Sequence, residues 1–373
     1  IDNLDKVVIS NNTVTSVTKG NVSIDREETE YPKVDVGTIV TNSNSTITGK
    51  YPTYQNPVIP VGFKAIDTEK AKWIDNDNDG VIDEWNNGLV IQDGYENEYV
   101  WIPVDGTNVK YEKWNGSNNA NYTVKFEQTE DDENLPKGIK AESDQIEKYQ
   151  GFFVARYEAG LPDEQTTEEL MKTRTSSKDE NNRTDIGNPQ SKKNKIVWVR
   201  IDYNHAKENS ENVISTKYVQ SGLITGTQWD TVLRFIATDN VNLESRAWGN
   251  YYDTKNFTIT GYYRTKYASV VYSNGKYTKS SGGYLLLETG KFSEAVKVGS
   301  PKNLCDIAGN AREWTTETVK IRNDTNRADV KIGNKITRGG TNTDNMSSTV
   351  REAYCSNSYS DEEQTFRFVL YIK

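Results

Sequence analysis

Hydrophobic positions along this chain come in short bursts separated by polar residues, with few long stripes. Within residues 1–50, VVIS, TVTSV and GTIV alternate apolar and small polar side chains between Asn, Ser and Gly, the period-two pattern of short strands and turns. This stretch, 1–51, is expected to form a short β-rich appendage or stalk. The proline-rich YPTYQNPVIP then marks the start of a main domain over 52–373. Beyond it, GLVIQD, EYVWIPV, GFFVARYE and KIVWVRI are dense in Val, Ile and aromatics and bounded by turn formers, so each predicts a strand.

Two segments predict helices. In QSGLITGTQWDTVLRFIATD the residues Trp229, Val232, Leu233 and Ile236 fall on one face at helical spacing, with Thr225 or Thr227 as the cap. The second is TTEELMKT, around Glu168. The acidic runs QTEDDENLP and SSKDENNRTD predict solvated loops. The pattern as a whole implies short strands, few helices and many loops.

Composition narrows the function. A chain of 373 residues with 34% hydrophobic residues and a mean hydropathy of -0.80 has room for a core but must build it economically. The formal charge of -9 argues against nucleic acid as a partner, because phosphate tracking needs clustered Lys and Arg. No apolar run reaches the about 18 residues of a membrane helix. The chain opens at Ile1 without Met, so a removed leader or membrane anchor is expected, and with it an extracellular or cell-surface location. Cys305 and Cys355 have neither CxxC nor zinc spacing; they either pair with each other or stand as separate thiols.

Catalytic constellations are absent from the sequence. His205 is the only histidine, and no GxSxG elbow, HExxH helix, GxGxxG or GxxxxGK[ST] accompanies it. One metal pattern is present, in the insertion at 73–88, WIDNDNDGVIDEWNNG. Asp75, Asp77 and Asp79 alternate, Gly80 allows the turn, Val81 offers a carbonyl and Asp83 stands at the ninth position, a hard-oxygen spacing suited to calcium. Asn86 stands where an EF-hand has a bidentate Glu, so a weaker, structural site is expected; the alternative is a well-solvated Asp/Asn turn.

NLCDIAGNAREWT, followed by TRGG and then F-R-F at 366–368, resembles the signature of formylglycine-generating-enzyme-like (sulfatase-modifying-factor) domains, a branch of the C-type lectin fold. EYVWIPV, GFFVARYEAG, LITGTQWDTVLR and RAWGN resemble further family elements in family order. The resemblance implies an α+β, C-type lectin-like fold of the formylglycine-generating-enzyme subtype, with a small twisted antiparallel sheet, few helices and many loops. It makes Trp229, Trp248, Trp314, Arg338, Gly339, Gly340 and Phe366 scaffold residues. It also makes Asn310 and Glu313 candidates for a second calcium site, with a hydrogen-bonded turn as the alternative.

The family's oxygen-using members hold two copper-binding cysteines shortly after the double glycine. In that register this chain has Asp344 and Thr349, neither a soft ligand nor a redox thiol, so copper and oxidase activity are not expected. The segment 338–366 instead resembles the variable region of proteins diversified by retroelements, rich in Asn, Ser, Thr, Asp and Tyr, a paratope-like repertoire. The expectation is a non-catalytic, surface-displayed adhesion or ligand-binding protein whose partner is a protein or glycan. Its exposed face is expected to comprise Asn342, Thr343, Asp344, Asn345, Ser347, Ser348, Thr349, Glu352, Tyr354, Ser356, Asn357, Ser358 and Tyr359. The alternatives are an ordinary polar loop of a fixed-specificity module, a phage receptor-binding protein, and the oxidase.

Overall fold

The computed structural model describes residues 6–10, 13–18, 53–77, 79–112, 126–129, 142–162, 184–264, 271–322, 333–344, 346–353, 358 and 361–373. The chain divides into two units, Ile1–Lys33 and Val34–Lys373. The division precedes the proline-rich break expected near residue 52. In the first unit, β1 (Lys6–Ser10) and β2 (Thr13–Thr18) pair antiparallel, as the VVIS and TVTSV alternation predicts; GTIV lies outside the described residues.

In the second unit six short strands form an antiparallel sheet. They are β3 (Lys64–Ile66), β4 (Val90–Gln92), β5 (Glu98–Pro103), β7 (Gly151–Ala155), β8 (Val219–Leu223) and β16 (Phe368–Ile372), in the spatial order β3-β4-β5-β7-β16-β8. The period-two rule explains why this sheet is buried on both faces. Tyr99 and Trp101 of β5, with Phe153, Phe368 and Leu370, point into one cluster with Trp198 and Trp314. Val100 and Ile102, with Phe152, Val154, Val369 and Tyr371, point into the other, against Trp229, Val232, Leu233 and Ile236.

A second sheet is built on β12 (Arg312–Arg322). Beside it lie β13 (Lys335–Arg338), then β14 (Arg351–Ala353), all antiparallel; β15 (Gln364–Phe366) runs parallel to β12, and β6 (Phe126–Thr129) pairs with its far end. A third joins β9 (Phe257–Arg264), β10 (Val271–Lys279) and β11 (Leu286–Leu287). The described residues thus form a mixed α+β fold with several largely antiparallel sheets and four α-helices: α1 (Glu142–Tyr149), α2 (Tyr203–Asn212), α3 (Gly226–Ala237) and α4 (Lys291–Ala295). None of these helices is long and apolar enough to cross a membrane.

The predicted helix is α3. Thr225 caps it through a reciprocal box: its hydroxyl accepts from the Gln228 N–H at 3.1 Å, and the Gln228 side chain accepts from the Thr225 N–H at 3.0 Å. Two expectations need correction, and one helix lies where the sequence predicts none. KIVWVRI is largely buried but makes one isolated bridge, Val197 with Gly160, because Asn194 and Arg200, both at positive φ, turn the chain on either side of its core. Gln128 and Thr129, expected in a solvated loop, close β6; most of the acidic runs, like TTEELMKT, lies outside the described residues. DYNHAKEN, which shows no apolar face, forms α2, capped by Asp202, whose carboxylate accepts from the His205 N–H at 3.0 Å and lies 2.9 Å from its Nδ1.

Candidate functional site

The signature residues converge on two buried ionic networks. In the first, Asp230 on α3 and Glu317 on β12 face Arg338 on β13 and Arg351 on β14. Arg338 donates to Asp230 at 2.8 Å and to the Val350 carbonyl at 3.0 Å, and its guanidinium lies 5.7 Å from the Trp229 ring. Arg351 bonds both carboxylates. Two carboxylates against two guanidinium groups make this network formally neutral, the condition under which buried charge is tolerated.

The second network centres on Arg367, which stands between β15 and β16 where the chain passes from one sheet to another. It donates to Glu313 at 2.7 and 2.9 Å, to the Ala155 carbonyl at 2.8 Å and to the Cys305 carbonyl at 2.9 Å. Gly309, at φ +70°, fits only as glycine, since a Cβ there would lie 2.3 Å from the Asn250 carbonyl oxygen. Asn310 follows, also at positive φ. Its side-chain oxygen accepts from Asn250 at 2.8 Å and from the Leu287 N–H at 2.9 Å, while its nitrogen donates to Glu158 and to the Leu287 carbonyl.

The expectation of a second calcium site on Asn310 and Glu313 is therefore corrected. Asn310 is a saturated turn residue, and both Glu313 oxygens face a guanidinium, which supplies the positive charge that a metal would bring. Sequence reasoning missed Glu158 and Asp306, although both sit inside the quoted segments GFFVARYEAG and NLCDIAGNAREWT. Both are buried and share Arg367 with Glu313, so three carboxylates meet one guanidinium. Burial raises the Glu158 carboxyl well above its ordinary range, and the charges of Asp306 and Glu313 raise it further. Burial likewise pushes Asp306 up to about 7, against the Gly290 N–H, which lowers it. Cys305 is a buried free thiol pushed by burial to about 11, an inert position; Cys355 lies outside the described residues.

The expected binding face is also corrected. Asn342, Ser347, Ser348 and Thr349 are buried, Thr343, Asp344 and Glu352 are half-buried, and Ser358 is exposed. Asn345, Tyr354, Ser356, Asn357 and Tyr359 lie outside the described residues. The reason is a set of polar partners from distant segments. The Ser347 and Thr349 hydroxyls each donate to Glu244 at 2.8 Å, Ser348 donates to the Leu243 carbonyl at 3.0 Å, and the Trp229 indole donates to the Ser348 carbonyl at 3.3 Å. Asp344 closes its own turn, accepting from the Thr341 and Met346 N–H groups at 3.0 Å. Glu352 and Glu363 pair with Arg312, and Thr343 donates to Glu363. The scaffold residues Trp229, Trp248, Trp314, Arg338, Gly339, Gly340 and Phe366 are buried, as expected.

In the DNDNDG loop the Asp75, Asp77 and Asp79 carboxylate oxygens lie within 4.8 Å of one another, on the surface. Gly80, at φ +83°, makes the turn, and its N–H donates to Asp75 at 3.0 Å. Asp83 accepts instead from the Asn76 side chain at 2.5 Å, and the Val81 N–H donates to Asp79 at 2.8 Å. The loop is docked on the signature: Asn303 donates to the Gly88 carbonyl at 2.7 Å and Lys302 to the Asn86 carbonyl at 2.6 Å.

An open concavity of about 460 Å³ is lined by residues 244–247 and 253–255. No family model, no curated protein and no solved structure matches this chain.

The Arg367 network makes stability depend on pH. Asp306 unfolded titrates near 3.8 and folded near 7, so the folded state holds the proton more tightly. Its contribution is complete below about pH 4 and is lost as pH rises through 7. The melting temperature is expected to fall from pH 5 to pH 7.5, with a smaller fall in Asp306→Asn. Equal slopes in thermal melts of the two proteins would show that Asp306 does not hold this proton.

Proposed function

We propose that residues 52–373 form a non-catalytic binding module of C-type lectin-like fold and formylglycine-generating-enzyme subtype, displayed at a cell surface or outside the cell. The observation that carries this reading is the pair of positions where the enzyme's thiolates would stand. Asp344 there is engaged in its own turn and Thr349 is bonded to Glu244, and neither offers a soft ligand or an electron-transferring thiol. The signature's charged residues support it too. Asp230, Glu313, Arg338 and Arg367 are neutralised against one another and their neighbours in the core, an arrangement that holds backbone and leaves none for chemistry on a ligand.

On this reading the segment 338–366 has two parts. The buried Asn342, Ser347, Ser348 and Thr349 are proposed to support the module, and the ligand-facing positions are proposed to run from Glu352 onward, where Ser358 is exposed. If the segment is diversified, the same locus holds a reverse transcriptase and a near-copy of the bases coding for it. Differences between related loci then fall in the codons from Glu352 to Tyr359 and spare those for Ser347 to Thr349. Loci without the near-copy, or with substitutions concentrated on Ser348 and Thr349, contradict the reading.

Asp75, Asp77 and Asp79 are proposed to hold a structural calcium ion, because three carboxylates so close repel one another unless a cation lies between them. A ligand bound only by the folded protein stabilises it by mass action. Calcium is expected to raise the melting temperature, EGTA to reverse the gain, and Asp75→Ala/Asp79→Ala to abolish it. Identical melts with calcium and with EGTA would show that the loop is only a turn.

A further inference from the structure

We propose that the concavity between Glu244 and Lys255 is a binding site for a neutral saccharide. The proposal rests on the reading of the chain as a binding module but places the ligand away from the Glu352–Tyr359 segment. Its chemistry comes from what lines it: Glu244, Ser245, Arg246, Asp253, Thr254 and Lys255, with Ala247 as the sole apolar side chain. Two carboxylates and two cations cancel. An anionic ligand meets Glu244 and Asp253, a cationic one meets Arg246 and Lys255, and an apolar peptide side chain finds no anchor. A neutral ligand carrying many hydroxyls, each both donor and acceptor, satisfies both kinds of group at once.

The central pair is suited to that exchange. Arg246 Nε lies 2.9 and 3.0 Å from the two Asp253 oxygens, a fork-to-fork contact between side chains that are 39% and 40% exposed. An ion pair this exposed contributes little to stability, so inserting a ligand between its members costs little. Adjacent ring hydroxyls match it: one donates to the Asp253 carboxylate while its neighbour accepts from the Arg246 guanidinium, both charge-assisted contacts.

The wall behind the pair is rigid. Glu244 is fixed by the Ser347 and Thr349 hydroxyls, and the Tyr252 N–H donates to the Asp344 carbonyl at 3.1 Å. These contacts hold one wall of the concavity in place.

The test uses saturation-transfer NMR on the full chain with millimolar methyl α-glucoside, methyl β-galactoside, N-acetylglucosamine, lactose and cellobiose, and with sialic acid as an acidic control. At least one neutral sugar is expected to bind. Asp253→Asn and Arg246→Gln should each weaken it by ~10-fold or more, as expected for losing a charge-assisted hydrogen bond, with melting temperatures unchanged. The proposal fails if no neutral sugar binds, if only sialic acid binds, or if binding is undiminished in both variants. A screen of surface proteins and glycans separates the two readings. A partner retained by Asp253→Asn while no neutral sugar binds leaves the binding module standing and removes this site, whereas the absence of any partner removes both.

Discussion

Arg367 is the side chain on which the rest of the second unit depends. A buried guanidinium is tolerated only when paired and hydrogen-bonded, and this one, at the junction of β15 with β16, meets that requirement with three other segments at once: Glu313 of β12, the carbonyl ending β7 and the Cys305 loop. Of these the Cys305 loop has little hydrophobic periodicity of its own, and the economical core does not have to specify it alone.

The two buried networks behave differently because their charges do not count the same way. Asp230, Glu317, Arg338 and Arg351 balance, two carboxylates against two guanidinium groups, so that network carries no excess charge. Glu158, Asp306 and Glu313 outnumber Arg367, and burial raises all three carboxyl groups, so the excess is met with protons. A shared position for signature and support follows: the segments that resemble an enzyme family's hallmarks are also those that tie α3, β12, β13 and β16 together.

Much of this was legible in the sequence where apolar spacing was strong. The face of α3, with Thr225 as one of two cap candidates, and the strands β4, β5 and β7 follow from period and residue type. Polar segments were misleading. Polar residues are mostly exposed, so Asn342 to Thr349 read as surface. The groups that bury them, Leu243, Glu244 and Trp229, lie about a hundred residues earlier in the chain, where spacing carries no signal. The helix α2 was hidden for the same reason, its stability coming from the Asp202 cap and from contacts with β8, with no apolar stripe to show it. Asn310 and Glu313 were singled out correctly as special, but their partners Asn250, Leu287 and Arg367 made them scaffold.

The most direct test of the Arg367 anchor is a double-mutant cycle in urea at pH 6, comparing Arg367→Met, Glu313→Gln and the two together. Removing one member of a buried pair leaves the other uncompensated, at a cost of about 3–5 kcal/mol, whereas replacing both removes the stranded charge. Arg367→Met is predicted to be strongly destabilised or unfolded, with a large part of the loss recovered in the double variant. An Arg367→Met protein as stable as the wild type would show that the fold does not rest on this pair.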